Sequence, residues 1–227
     1  MKNLNRYIEH TLLKPDARKA DLITLFRQAE EYNFLGVCIN PCYVKLAKEY
    51  LTESKTESAP SGGEQIKIVT VIGFPLGANT TETKIFETIN AIKDGADEID
   101  MVINITKVKD RKTDFIVDEI KQIKTACQGH NLKVILETDL LDKEDIKYAC
   151  ECAIKGGADF VKTSTGFVKD GVGAKVEDVE LMYNTVKDYG LQVKESGGIR
   201  STEAAVAMIK AGAVRLGTSS GVKIAAG

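Results

Sequence analysis

Three helix-to-strand junctions share the pattern Lys-x-Gly-Ala-x: Lys93-Asp-Gly-Ala-Asp97, Lys155-Gly-Gly-Ala-Asp159 and Lys210-Ala-Gly-Ala-Val214. A cation in the last helical turn, then a glycine able to take φ > 0, then an apolar run, is the chemistry of a helix C-terminus feeding a strand. The junctions begin at residues 93, 155 and 210, so 62 and then 55 residues separate them. Each interval holds two strand–helix units, so one further unit is expected inside it. Leu132-Lys-Val-Ile-Leu-Glu137 and Leu191-Gln-Val-Lys-Glu195 supply the missing strands. Extended over the chain, this reading places strands near 7–10, 34–39, 66–72, 97–103, 132–137, 159–163, 191–195 and 214–217. Helices fall near 18–32, 41–51, 80–93, 113–127, 142–155, 175–188 and 201–210. Eight strands alternating with helices predict an α/β fold, a single (β/α)8 TIM barrel over 1–227 with a short N-terminal helical segment. A doubly wound open sheet is the alternative. The polar stretch from Thr52 to Gln65 reads as a surface loop within that domain.

Composition narrows the function. A net charge of −2 gives no basic footprint, so no nucleic-acid partner is expected. Apolar runs are strand-sized, short of the roughly 18 residues of a membrane span. The first residues, Met1-Lys-Asn-Leu-Asn-Arg6, lack the apolar core of a secretory signal. The five cysteines (38, 42, 127, 150, 152) form no paired CxxC framework, and only His10 and His130 could join them at a metal. Reduced thiols, a cytoplasmic location, and neither metal nor cofactor are therefore expected. Cys38 stands apart, because its strand Gly36-Val-Cys-Ile-Asn40 ends where a pocket would open.

Three charges sit where charges are costly. Lys162 interrupts the strand Asp159-Phe-Val-Lys-Thr-Ser-Thr165, Lys194 lies inside Leu191-Gln-Val-Lys-Glu195, and Asp100 inside Glu98-Ile-Asp-Met-Val-Ile103. A lone ammonium in an apolar strand tends to shed its proton, and a neutral amine in a pocket attacks carbonyls. Strand alternation turns Ile99, Met101 and Ile103 towards the helices, and Asp100, Val102 and Asn104 inward. By the same rule Phe160 and Lys162, and Gln192 and Lys194, point into the barrel. Two ammonium groups about 6 Å apart repel by roughly 2.8 kcal/mol at an effective dielectric near 20, so Lys194 is expected to hold Lys162 neutral. Asp100 is then free to move protons. A structural Lys–Asp ion pair is the bland alternative. Glu195 alternates away from Lys194, and its carboxylate is expected to find a cation or water among the helices.

Two glycine-rich turns complete the picture. Ser196-Gly-Gly-Ile-Arg200 follows the seventh strand and Gly217-Thr-Ser-Ser-Gly221 the eighth. Backbone N–H groups at these two places commonly cradle a phosphate in this architecture. A carbonyl-attacking lysine beside such a cradle suggests a phosphorylated aldehyde or ketose as substrate.

These residues belong to a longer series of ordered motifs. His10-Thr-Leu-Leu-Lys-Pro15, Val37-Cys-Ile-Asn-Pro41, Val71-Ile-Gly-Phe-Pro-Leu-Gly77, Gly95-Ala-Asp-Glu-Ile-Asp-Met-Val-Ile-Asn104, Val134-Ile-Leu-Glu-Thr138, Asp159 to Phe167, Ser196 to Arg200 and Gly217 to Gly221 run through nearly the whole chain. In them the chain resembles the deoxyribose-phosphate aldolases. The resemblance implies a metal-free class I aldolase that reversibly splits 2-deoxy-D-ribose 5-phosphate into acetaldehyde and D-glyceraldehyde 3-phosphate. It implies a Schiff base on Lys162, tuning or proton donation by Lys194, and a proton relay through Asp100. It implies a phosphate held by Gly166, Gly197, Gly198, Ser219 and Ser220, and substrate contacts from Thr165, Cys38 and Glu9. Expected partners are small molecules, with a homodimer as the possible assembly. Glu9 stands where the family motif usually has Asp, and Glu195 where it usually has a small residue. Another Schiff-base aldolase, such as a transaldolase, and a non-catalytic sugar-phosphate sensor are the competing readings.

Overall fold

The computed structural model describes residues 3–57 and 65–227. Eight parallel strands close into one barrel in sequence order: β1 (Ile8–Leu12), β2 (Gly36–Ile39), β3 (Lys67–Ile72), β4 (Glu98–Val102), β5 (Asn131–Ile135), β6 (Phe160–Lys162), β7 (Gln192–Ser196) and β8 (Ala213–Thr218). β1 closes the ring by pairing with β8, Ile8 opposite Leu216. Around it lie α1 (Lys19–Glu31), α2 (Val44–Glu57), α3 (Thr81–Lys93), α4 (Ile105–Lys109), α5 (Thr113–Ala126), α6 (Lys143–Gly156), α7 (Val176–Val186), α8 (Thr202–Lys210) and α9 (Gly221–Ala226). A 3-10 turn, Leu4–Tyr7, leads into β1.

The repeated junction does what its chemistry dictates. Gly95, Gly157 and Gly212 all have positive φ (107°, 76° and 114°). Ala96 and Ala158 donate back five residues, to the carbonyls of Ala91 and Ala153, which closes the end of each helix. At the first two junctions the aspartate that follows then ties the new strand to the one before it. The Asp97 carboxylate accepts from Ile68 N–H at 2.8 Å, and that of Asp159 from Leu132 N–H at 2.7 Å.

Two differences from the expected elements have local causes. α2 runs on to Glu57, so 52–57 is helical and not loop; buried Leu51 and the Thr52 hydroxyl, bonded to Lys48 O at 2.7 Å, hold its last turns. Residues 58–64 of that expected loop lie outside the described residues. β4 ends at Val102, and Asn104, expected to point inward, instead caps α4, its side chain accepting from Lys107 N–H at 3.2 Å. A short polar side chain before a helix satisfies a backbone donor there.

The outward strand residues, among them Ile99, Met101, Leu132, Val134, Val161 and Val193, are fully buried against the helices and form the main core. Inside the barrel the layers differ. Phe160 fills the lower end, and a smaller apolar cluster of Leu13, Cys38, Val69 and Val71, with Phe74, lines one upper wall. Between them lies a layer of charge.

Candidate active site

Lys162 ends the short strand β6, in register with Lys194 on β7, and is 3% exposed. Its Nζ donates to Ser164 O at 2.7 Å and lies 4.0 Å from Asp100 Oδ2. Burial lowers the proton affinity of the amine; Asp100 opposes this and Lys194 reinforces it. Burial is the larger cause and the lysine–lysine repulsion adds to it, the two effects that the sequence suggested.

Asp100 is divided between two other lysines. Its Oδ2 accepts from Lys194 at 2.7 Å and its Oδ1 from Lys133 at 3.0 Å. Lys133 also lies 2.6 Å from Glu98 Oε2 and 3.7 Å from Glu9 Oε1. Lys194 makes a close hydrogen bond to Glu9 Oε2. Two cations at the lower rim complete the pairing: Lys67 is 2.6 Å from Glu98, and Arg215 Nε 3.6 Å from Glu9. Arg215 turns inward because the β7–β8 register skips Val214, a bulge that re-aims one side chain.

Every carboxylate in this layer therefore lies between cations. Burial alone would raise their proton affinities. Instead Lys133 and its neighbours hold Glu98 at about 2, and Lys133, Lys194 and Lys162 hold Asp100 well below the usual carboxylate range. Lys194 and Lys133 are held above the ordinary lysine value, because the surrounding carboxylates outweigh the cost of burying them. Lys162 is the lysine of this layer whose proton affinity falls.

Above this layer opens a cavity of about 430 Å³ at the C-terminal ends of the strands. Lys162, Lys194, Cys38, Thr165, Gly166, Gly197, Gly198 and Ser219 all line it. Gly166, Gly197 and Gly198 have φ of 81°, 92° and 84°, a region costly for residues with a Cβ. Among the described residues, the N–H groups of Gly166, Gly197, Gly198 and Ser219 have no acceptor within the chain. Lys14 and Arg200 add positive charge at the exposed mouth. The Cys38 thiol is pushed up to about 11 by burial and is a thiol, not a thiolate, at neutral pH.

Some expected residues stand elsewhere. Glu9, fully buried, is absent from the cavity wall; it sits below as the partner of Lys194, while Thr11, two residues on along the same face of β1, reaches the cavity. Ser220 lies behind the wall at the start of α9, its N–H donating to Thr218 Oγ1 at 3.0 Å. Glu195 is fully buried, yet neither carboxylate oxygen has a hydrogen-bond partner. Among the described residues no side chain or backbone group bonds to it, and burial raises its proton affinity well above the ordinary value, with Lys162 and Lys194 acting in the other direction. Sequence reasoning passed over Lys133 and Glu98, although Lys133 carried the signal that singled out Lys162, a lysine inside an apolar strand. Arg200 was visible only as the end of a glycine turn.

A buried amine of lowered proton affinity, open to a polar cavity at the C-terminal mouth of a parallel barrel, can form an imine with a carbonyl compound. Comparison with known proteins agrees with that class. Residues 7–227 match the family described as DeoC/LacD family aldolase, and the chain belongs to it. The deoxyribose-phosphate aldolase of Finegoldia magna is 52% identical over 224 residues, covering 99% of each chain. That of Ureaplasma urealyticum serovar 10 is 50% identical over 224 residues, covering 99% of this chain and 98% of its own. Among solved structures, the aldolase QR15 superposes with a TM-score of 0.89 at 42% identity, covering 100% of this chain and 96% of that one.

Proposed function

We propose that this chain is a class I aldolase that cleaves 2-deoxy-D-ribose 5-phosphate reversibly to acetaldehyde and D-glyceraldehyde 3-phosphate. The observation that carries this reading is Lys162, an amine disfavoured as a cation at the floor of a cavity whose rim offers unpaired N–H groups to an anion.

In this reading the Lys162 amine attacks C1 of the open-chain sugar. Loss of water gives an iminium, whose positive charge draws electrons from the neighbouring C2–C3 bond. Removal of the C3 hydroxyl proton breaks that bond and releases glyceraldehyde 3-phosphate, with C3 as its new aldehyde carbon. The enamine left on Lys162 takes a proton at C2, and water hydrolyses the resulting iminium to acetaldehyde and free amine. Asp100, held ionised, and Lys194, held protonated, are the adjacent pair that can accept and return these protons. Gly166, Gly197, Gly198 and Ser219 bind the phosphate through their backbone N–H groups, with Arg200 and Lys14 at the mouth. Thr165 and Cys38 shape the walls.

Two features favour this reading over a transaldolase or a silent sensor: relatives about 50% identical over their whole length carry the deoxyribose-phosphate aldolase name, and the Lys162, Lys194 and Asp100 set is complete. The test is a retro-aldol assay on 2-deoxyribose 5-phosphate in which the glyceraldehyde 3-phosphate released is isomerised to dihydroxyacetone phosphate and reduced by a coupling dehydrogenase with NADH. Turnover that Ser219→Asp weakens far more on the phosphorylated sugar than on 2-deoxyribose is the expected result, because a like charge at an anion site costs on the order of several kcal/mol. No triose phosphate from the native chain would reject the reading.

A further inference from the structure

The two glycine turns of the cradle are held by a segment outside the cavity wall. After β5 the chain turns through Glu137, whose φ of 61° and ψ of 67° are costly for a residue with a Cβ. The Glu137 carboxylate, 2% exposed, accepts from Thr165 N–H at 3.1 Å and makes a close hydrogen bond with the Thr165 hydroxyl. That hydroxyl accepts in turn from Phe167 N–H at 3.1 Å, so the backbone on both sides of Gly166 is fixed. Two residues further on, Asp139 accepts from Gly173 N–H at 2.9 Å and Val172 N–H at 3.3 Å.

The second anchor reaches the other turn through direct backbone contact. Ala174 N–H donates to Gly197 O at 3.1 Å. A Cβ on Gly173 would stand 2.6 Å from the Gly197 carbonyl, and one on Gly198 would stand 2.9 Å from Val172 O. No side chain fits between these loops, so the placement of 172–174 sets the placement of 197–198. The carboxylates also occupy the N–H groups of Thr165, Val172 and Gly173, while among the described residues those of Gly166, Gly197 and Gly198 meet no acceptor.

We propose that Glu137 and Asp139 are positioning residues for phosphate recognition: from one short turn they clamp the loop after β6 at both ends and thereby fix the spacing between Gly166 and the Gly197–Gly198 turn. This rests on the aldolase reading given above, and deepens it. Neither residue touches the reacting carbons. Glu137 acts on Lys162 behind Asp100, Lys194 and Cys38, and there it favours the ammonium form. Losing that charge does not disfavour the free amine, so the clamp is read in binding of the phosphorylated sugar, and Asp139, which is not among those charges, reads it alone.

Glu137→Gln and Asp139→Asn keep size while removing acceptor strength. Steady-state kinetics on 2-deoxyribose 5-phosphate should show KM raised about tenfold or more with kcat within about threefold, while kcat/KM on 2-deoxyribose falls by less than about threefold. Competitive inhibition by inorganic phosphate should weaken in parallel. Equal losses on both sugars, or an unchanged KM for the phosphorylated one, would overturn the clamp. A native enzyme that treats both sugars alike would reject the phosphate cradle and the clamp with it. A native preference that survives in both variants would reject the clamp alone. If Glu137→Gln does not fold, Asp139→Asn, on a half-buried side chain, carries the same comparison.

Discussion

Asp100 gives each carboxylate oxygen to a different lysine, Oδ1 to Lys133 and Oδ2 to Lys194, and that division decides the charge on Lys162. Lys162 meets only an oxygen already engaged, at 4.0 Å, so pairing does not offset its burial. Lys194→Met would free that oxygen and remove a neighbouring cation, and both changes favour the ammonium form of Lys162. The acidic limb of the kcat/KM profile should move to higher pH, with activity near neutrality lost and partly recovered at alkaline pH. An even loss at every pH would remove Lys194 from the tuning role. Glu195 offers a different test. Its proton is bound more tightly in the folded chain than in the unfolded one, where the ordinary value is 4.5. Stability from this group is therefore full below that value and drains away as pH rises towards the folded one. Glu195→Gln removes the titration, so the Tm difference, variant minus native, should grow as pH rises above the ordinary value of 4.5. A constant difference would mean that Glu195 is ionised in the native fold. Alternation along β7 was enough to turn this side chain away from Lys194, but partners depend on which helix residues pack behind the strand, and no local pattern encodes that.

β4 carries Asp100, and a buried ion pair braces the end of that strand. Lys84 of α3 and Glu119 of α5 are fully buried, 3.1 Å apart, and Lys84 also donates to Val102 O at 2.9 Å. Burial shifts both towards their neutral forms, lowering Lys84 and raising Glu119. Removing one partner strands the other, so Lys84→Met should cost about 3–5 kcal/mol in urea denaturation, and Lys84→Met with Glu119→Leu much less. A double variant as unstable as the single one would show that the contact to Val102, not the pairing, matters. Sequence periodicity located all eight strands to within about two residues, because glycine junctions and apolar runs are local signals. It missed α4 and α9, helices of five and six residues too short to show a period, and cut α2 short where the apolar face gives way to polar residues.

Across the whole molecule, the closed barrel sorts its interior into layers. Phe160 lies between Lys133 and Arg215, its ring 5.7 and 5.5 Å from their charged groups; the ion layer lies above, and the cavity above that. Alternation and strand order were sufficient to bring Lys162, Lys194 and Asp100 together from sequence. Glu9 required the three-dimensional register, since β1 meets β8 only on closure and nothing in the flanking residues says at what depth Glu9 lies. The charge set of this layer has one chemical consequence: of the two lysines lining the cavity floor, Lys162 alone has its proton affinity lowered, while that of Lys194 is raised. Borohydride reduction in the presence of acetaldehyde, followed by peptide mapping, reads that consequence directly. One N-ethyl group is expected on Lys162, formed near neutral pH while Lys133 and Lys194 stay unlabelled. A label on Lys194 or Lys133, or none at all from folded protein, would contradict it.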